Sequence, residues 1–247
     1  MKNQRFESAA KTYNQYAFIQ KLSAEYILNY QLSHVPMTVL DIGCGTGLLT
    51  SHLASKYPRA HFDAIDASQR MIKQVSTLGL KNVTSIHADY SQYEFKKRYD
   101  LIASNAALHW MNIPDALSKI KQELSERGVV VCTIFGSNTS IELSTLIPMI
   151  KKGVMLPARQ FMTNDQINQC GQQEFTYWSV ETSTTTIPFD SVYMLFKTQK
   201  RTGVNASHEM TGLWTPRQLK QLEQLFMDHY GQIQLSYEIH FCTGSNQ

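Results

Sequence analysis

Cysteine is scarce and unpatterned in this 247-residue chain: Cys44, Cys132, Cys170 and Cys242 stand far apart, with no C-x-x-C pair. That argues against a disulfide framework and against a zinc centre, so no metal is expected. Reduced, buried thiols suit a cytoplasmic protein. Long apolar runs are also missing, and nothing approaches the length of a membrane span. The opening stretch MKNQRFESAAKTYNQYA has charges but no apolar h-region, so no secretory leader is expected. Charge of one sign is lacking as well: 23 basic against 20 acidic residues leave a formal net charge of +3, too mild to point to nucleic acid. What is plentiful is apolar material. At 43% hydrophobic residues the chain can bury one substantial core and carry a small lid.

Apolar periodicity divides the chain into alternating strands and helices. Residues 6–32 read as helical, with no proline to interrupt them. Strands are expected at 39–42, 62–65, 82–86, 99–103 and 129–134, and helices at 46–56, from Ser68, and at 113–124. Strands separated by helices of this size imply βαβ units and a mostly parallel sheet. After Phe135 the pattern loosens. Helices are expected within 138–171, near 190–201 and at 215–230, with strands at 175–187 and 233–241. The expected architecture is a single α/β domain in four parts: N-terminal helices (1–33), a core (37–135), a lid-like insertion (138–171) and C-terminal strands and helices (172–243).

The chemistry concentrates in MTVLDIGCGTGLLTSHLASKYPRAHFDAID, residues 37–66. Here a strand, a glycine loop, a helix and a second strand ending in an acid follow one another. Glycines at 43, 45 and 47 let the backbone turn sharply and approach a ligand closely. Asp66 can accept hydrogen bonds from a ribose diol. A dinucleotide loop would read G-x-G-x-x-G, but Leu48 stands at the third glycine's place. A phosphate-binding P-loop would end in Gly-Lys-Ser/Thr, and that ending is absent. The form D-x-G-x-G-x-G resembles the first motif of S-adenosylmethionine-dependent methyltransferases. A glycine-rich turn without a ligand is the bland alternative.

In an open α/β sheet the ligand lies beyond the carboxyl ends of the strands, so four loops matter. The first offers Asp41, Gly43, Cys44 and Gly45. The second offers Asp66 and Ala67, with Met71 as an apolar contact for the adenine. The third offers Ala88, Asp89 and Tyr90, and the fourth Ser104 and Asn105. In that fourth loop His109-Trp110 invites a general-base reading for His109, against the plainer alternative of a packed histidine. Asp89 has its own plain reading as a turn or helix cap. Methionines at 149, 155, 162 and 194 either line a tunnel or fill a core. The cations Lys197, Lys200, Arg201, Arg217 and Lys220 form either a solvated face or a surface for an acidic partner.

Motifs spread over nearly the whole length carry a closer resemblance. Arg5-Phe6, Ala9-Ala10, Thr12-Tyr13, Tyr16-Ala17 and Gln20 look like an R-F-x-x-A-A-x-T-Y signature. Asp100-Leu101-Ile102 through Ser104-Asn105-Ala106-Ala107-Leu108 and Trp110, then Phe135-Gly136, Thr139 and Glu142-Leu143, look like later motifs of the same family. Arg159-Gln160-Phe161, Lys200 with Gly203, and Leu235-Ser236-Tyr237-Glu238 echo further positions. The chain resembles the malonyl-[acyl-carrier-protein] O-methyltransferases of biotin synthesis. There are three departures. His109 replaces a frequent glutamine, as in trans-aconitate methyltransferases. Leu124-Ser125-Glu126-Arg127-Gly128 stands for L-x-P-G-G, and Asp89-Tyr90-Ser91 lacks the second acid of D-x-E.

The resemblance implies a Rossmann-like class I fold and S-adenosyl-L-methionine as methyl donor. It also implies an acyl carrier protein bearing malonyl as partner, and neither nucleic acid nor membrane. A small free carboxylic acid of the trans-aconitate type is the alternative substrate, and a non-catalytic interaction protein the remoter one. Tyr13, Asn105 and His109 become positioning candidates. An enclosed carboxylate needs a cation, for which Arg159 is the first choice and Lys200 and Lys197 the reserve.

Overall fold

The computed structural model describes residues 10, 12–202 and 214–247. Arg5, Phe6, Ala9 and Gly203 lie outside them, as does the Gly/Asn/Ser-rich stretch 203–208, which reads as a linker between the helices expected near 190–201 and at 215–230. Seven strands form one sheet in the order β3-β2-β1-β4-β5-β7-β6. β1 (Thr38–Ile42), β2 (His61–Asp66), β3 (Val83–His87), β4 (Tyr99–Asn105) and β5 (Leu124–Phe135) run parallel. β7 (Gln234–Ser245) is antiparallel both to β5 and to the edge strand β6 (Tyr177–Pro188). The sheet is therefore mostly parallel and the fold is that of the class I methyltransferases, as expected.

Alternation along the strands decides which helix covers which face. Leu40, Ile42, Ile102 and Val130 are buried with Leu117 and Ile120 of α5 (Ile113–Glu123). Their neighbours Val39, Leu101 and Val131 face the other way. There they meet Ala24 and Ile27 of α2 (Phe18–Asn29) and Leu49 and Leu53 of α3 (Leu48–Lys56). Being covered on both faces is what makes parallel strands read as nearly continuous apolar runs. α4 (Gln69–Thr77) begins where the Ser68 side chain accepts from the Met71 N–H, a side-chain cap for an otherwise unpaired donor.

A third apolar cluster lies off the main βα layers. Phe135, Leu235 and Tyr237 pack there with Leu146 of α6 (Ile141–Ile150), Leu195 of α8 (Val192–Arg201) and Phe226 of α9 (Pro216–Tyr230). α9 opens with a reciprocal Thr215–Gln218 capping box and Pro216, and ends at Gly231 in the left-handed region.

Three local differences from the expectations have identifiable causes. The N-terminal helix is broken: α1 (Tyr13–Tyr16) and α2 meet at the fully buried Ala17, whose backbone leaves helical geometry. β5 starts at Leu124 rather than 129, and residues 125–128 bulge between the Tyr99↔Leu124 and Leu101↔Val129 pairs. Ser125 Oγ donates to Asp100 Oδ1 (2.8 Å) and Arg98 donates to the Leu124 carbonyl (3.3 Å), fastening the bulge without the proline and glycine of L-x-P-G-G. The insertion 138–171 also divides. α6 joins the third cluster, whereas α7 (Asn164–Glu174) lies against α5 and β6, with Ile167 buried in the main core rather than over the strand ends.

No helix among the described residues is long and apolar enough to cross a membrane. No cluster of three or more potential metal ligands occurs among the described residues.

Candidate active site

β1 and β2 end side by side, and their backbones shape the loop between them. Gly43, Gly45 and Gly47 all have positive φ (67°, 55° and 83°). At Gly43 space is short too, because an added Cβ would fall 2.4 Å from the Ala107 Cβ. The loop is thus pressed against the chain that follows β4. It is tied to β2 by the Gly45 N–H, which donates to Asp66 Oδ2 (3.0 Å), and the Ser68 N–H donates to Oδ1 (2.8 Å).

Above this loop opens a cavity of about 220 Å³. Nine of the expected cofactor residues line it: Gly43, Gly45, Asp66, Ala67, Met71, Ala88, Asp89, Tyr90 and Asn105; the positioning candidate Tyr13 lines it as well. Tyr13 belongs to α1, which is held onto the glycine loop by Thr46 Oγ1 donating to Asn14 Oδ1 (2.7 Å). Burial and the neighbouring Asp66 push the Tyr13 phenol above its usual range, so it stays protonated.

Asn105 fixes the next wall. Its Oδ1 accepts from Ser23 Oγ and Thr133 Oγ1 (2.7 Å each), and its Nδ2 donates to the Gln20 carbonyl (2.8 Å). Thr133 in turn accepts from the Ala106 N–H (2.9 Å), supporting Ala106 at φ 50°, a conformation costly for a residue with a Cβ. Asp89 accepts at Oδ1 from both the N–H (3.0 Å) and the hydroxyl (2.8 Å) of Ser91. The serine standing where a second acid was expected therefore pins the first. Tyr90 is held as a wall by donating its hydroxyl to Glu123 Oε2 (2.9 Å), with Lys119 3.5 Å from Oε1.

The remaining expected residues lie elsewhere. Asp41 is buried behind the loop and accepts from Thr50 Oγ1 (2.6 Å). Cys44 packs with Ala64, Ile72 and Val75, and burial raises its thiol far above the usual range. Ser104 donates to the Ile42 carbonyl (2.9 Å). His109 is buried among Trp110, Phe135 and Phe161, with ring centroids 4.7–4.9 Å away, and its Nδ1 accepts from the Phe135 N–H (3.4 Å). That is the packed arrangement rather than a base facing the cavity. Arg159 is exposed, two residues before Phe161, whose ring meets Trp110 edge-on at 5.3 Å. Lys200 is exposed and Lys197 half-buried on α8, and neither lines the cavity.

Ile65, Ala106, Ala107, Trp110 and Met111 complete the lining. Ala106, Ala107 and Trp110 lie within the fourth loop, but only the close approach to Gly43 singles out Ala107. Nothing in the sequence marks Met111. Among the described residues the lining has two carboxylates, Asp66 and Asp89, and no lysine, arginine or histidine. Such a wall favours a ligand carrying positive charge and disfavours a pyrophosphate.

A family profile described as "Methyltransferase domain" matches residues 39–128, the span from β1 to the β5 bulge. A malonyl-[acyl-carrier protein] O-methyltransferase of Priestia megaterium is 30% identical over 249 aligned residues, covering 92% of this chain and 89% of that protein. The chain belongs to this methyltransferase family. A second relative with the same description, from Anoxybacillus flavithermus, is 38% identical over 143 residues, 57% of this chain and 55% of its own. Among solved structures, the plantazolicin methyltransferase BpumL in complex with SAH superposes with a TM-score of 0.54 at 19% identity. The match covers 100% of this chain and 85% of that one, and it shows the shared fold. Within the methyltransferase frame, Asp41 acts as a support beneath the loop.

That support has a titration consequence. Burial outweighs the Thr50 hydrogen bond and, with the nearby Asp66, pushes the Asp41 carboxyl up to about 7, from ~3.9 in an unfolded chain. The folded state then holds this proton more tightly than the unfolded state. Its contribution favours folding most below pH ~4 and declines as pH rises towards about 7. Asp41→Asn, which keeps an acceptor for Thr50, is expected to raise the melting temperature at pH 8 and to converge on wild type in acid. Thermal melts across that range check it, and a parallel pH dependence in the variant would contradict it.

Proposed function

We propose that the chain transfers a methyl group from S-adenosyl-L-methionine to the free carboxylate of malonyl carried on acyl carrier protein, forming the methyl ester, an early step of biotin synthesis in the cytoplasm. The observation that carries the reading is the cavity above the glycine loop, walled by two carboxylates and, among the described residues, no lysine, arginine or histidine. Relatives named for this activity support the choice of substrate.

The donor supplies a methyl group activated by a sulfonium charge, and the negative wall suits that charge. Asp66, held still by the Gly45 and Ser68 N–H groups, is the acceptor for the ribose hydroxyls. Asp89, pinned by Ser91, is placed to accept from the adenine amino group, and Met71 and Ala88 offer apolar contact. Tyr13, beside Asp66, and Asn105 are the polar groups left to position the acceptor.

Little acid–base help is needed. A malonyl carboxylate has its usual pKa near ~4 and is already ionised at neutral pH. Its oxygen attacks the methyl carbon as the carbon–sulfur bond breaks and the electron pair leaves with sulfur. Both products at the reacting centre are neutral and no proton moves. Alignment of oxygen, carbon and sulfur is then the main contribution of the chain. This fits a His109 kept in an aromatic cluster rather than used as a base.

The same negative wall repels an entering carboxylate, so a cation must receive it. Arg159 is the first choice: a guanidinium offers a planar two-point grip, and Phe161, two residues on, packs against Trp110. Lys197, Lys200, Arg201, Arg217 and Lys220 on α8 and α9 make an approach face for an acidic carrier.

Calorimetry is expected to show S-adenosylmethionine or its demethylated product binding to wild type. In Asp66→Ala the affinity falls by about 1.5–3 kcal/mol, the range for a charge-assisted hydrogen bond. Unaltered affinity would remove Asp66 from the ribose site.

Incubation with malonyl-acyl carrier protein and, separately, with trans-aconitate is expected to yield methyl ester only from the carrier-borne acid, read by mass spectrometry. Methylation of trans-aconitate alone would overturn the substrate assignment.

Arg159→Ala is expected to lower kcat/KM at every salt concentration without changing cofactor affinity. Lys200→Glu should instead raise the apparent KM and weaken its salt dependence. Near-normal turnover in Arg159→Ala would move the grip elsewhere.

A further inference from the structure

A second cavity, of about 200 Å³, lies between the α1–α2 corner and α8. Ile19, Ile187 and Phe189 give it apolar walls, and Gln15, Tyr16 and Gln20 also line it. Gln20 is only 4% exposed, and its Oε1 has no hydrogen-bond partner. A buried acceptor left unpaired is unfavourable, and such groups in native proteins usually mark a place where something else supplies the donor. The occupant must therefore bring an N–H or O–H donor on an otherwise apolar, slender body.

The position of this cavity narrows the choice. The Gln20 carbonyl accepts from Asn105 Nδ2, and Asn105 lines the first cavity. Gln20 thus lines the second cavity and, through its carbonyl, holds the wall of the first. α1 borders both, Tyr13 on one side and Tyr16 on the other. Phe18 stands at the rim of the second cavity with 61% of its surface exposed. Thr198, which also lines it, sits on α8 between Lys197 and Lys200. The second cavity thus borders the helix that carries Lys197 and Lys200 and is linked to the wall of the first through the Gln20–Asn105 hydrogen bond.

We propose that the second cavity receives the phosphopantetheine arm of the carrier, with Gln20 Oε1 accepting from one of its amide N–H groups. This rests on the carrier reading above and assigns its arm a place. An aliphatic chain interrupted by secondary amides brings the missing donor together with methylenes for Ile19, Ile187 and Phe189. A plain acyl chain brings no donor, and a free tricarboxylate brings neither methylenes nor a neutral charge.

The test compares kcat/KM for malonyl-pantetheine with that for malonyl ethyl thioester, which ends before the first amide. Wild type is expected to prefer the pantetheine substrate. Gln20→Leu, of similar bulk, should reduce that preference about tenfold, as the loss of one buried hydrogen bond implies. A structural defect would lower both substrates together and leave their ratio unchanged, which would overturn the assignment, as would a wild type without preference. Should Gln20→Leu lose cofactor binding and prove misfolded, Ile187→Trp asks the same question by filling the cavity, with the same fall in the ratio expected. A wild type that methylates neither thioester nor malonyl-acyl carrier protein would instead sink the carrier reading itself, an outcome distinct from an active enzyme whose ratio does not move.

Discussion

The left-handed backbone of the glycine loop is the constraint on which the rest of the site depends. Three glycines with positive φ fold the chain back on itself within five residues. That geometry brings the Gly45 N–H onto Asp66 and sets Gly43 so close to Ala107 that the loops after β1 and β4 touch. Three strand ends are thereby held at one level: β1 by the loop itself, β2 by its terminal carboxylate, β4 by the alanine contact. The cavity exists because these ends cannot drift apart. Asp41, beneath the loop, retains a carboxylate in a dry place at a cost to stability, as a support for α3 through Thr50.

A single amide performs the corresponding task on the other side. Asn105 uses both lone-pair directions of Oδ1 and one N–H of Nδ2 to join β4, β5 and α2. It thereby ties α2 to the strand end that carries the cavity wall. No charge is involved, so the wall on this side remains neutral, which matters where an anionic acceptor must approach. The lining thus combines two carboxylates, Asp66 and Asp89, with the neutral Tyr13, Asn105 and Trp110.

How much of this was legible in the sequence follows from the range of the interactions. Strands β1 to β4, their helices and the glycine loop are specified by local periodicity and by glycine's freedom, and they stand where the pattern puts them. Residues projecting from loops directly after strands, such as Asp66, Asp89 and Asn105, inherit that accuracy. Side-chain direction does not follow from position along the chain. Asp41 and Ser104 sit at strand ends, yet they bond Thr50 and the Ile42 carbonyl. His109 turns into an aromatic cluster assembled from Phe135 and Phe161, far apart in sequence. The β5 bulge and the seat of α7 against α5 depend on tertiary partners, so a turn and a lid were the natural readings of those segments. Met111 is unreadable for the same reason, since only the closed fold brings it to the cavity.

The strand order carries a further implication for how the molecule is assembled. β6 precedes β7 in the chain but reaches the sheet only through it, because β7 lies between β5 and β6. The parallel half needs nothing beyond residue 135, since all five of its strands lie within 38–135. Residues 177–188 must wait, their backbone donors and acceptors unmatched, until 234–245 arrive to pair with both sides at once. That step closes long loops and belongs to the slow end of folding. During the interval the threonine-rich strand presents polar hydroxyls rather than a greasy edge, a composition that limits wrong pairing with other chains. The run Thr182-Ser183-Thr184-Thr185-Thr186 thus keeps the outer strand polar, and in the finished sheet its Thr182 and Thr186 hydroxyls bond His240 Nδ1 (2.8 Å) and Ser236 Oγ (2.9 Å) of β7.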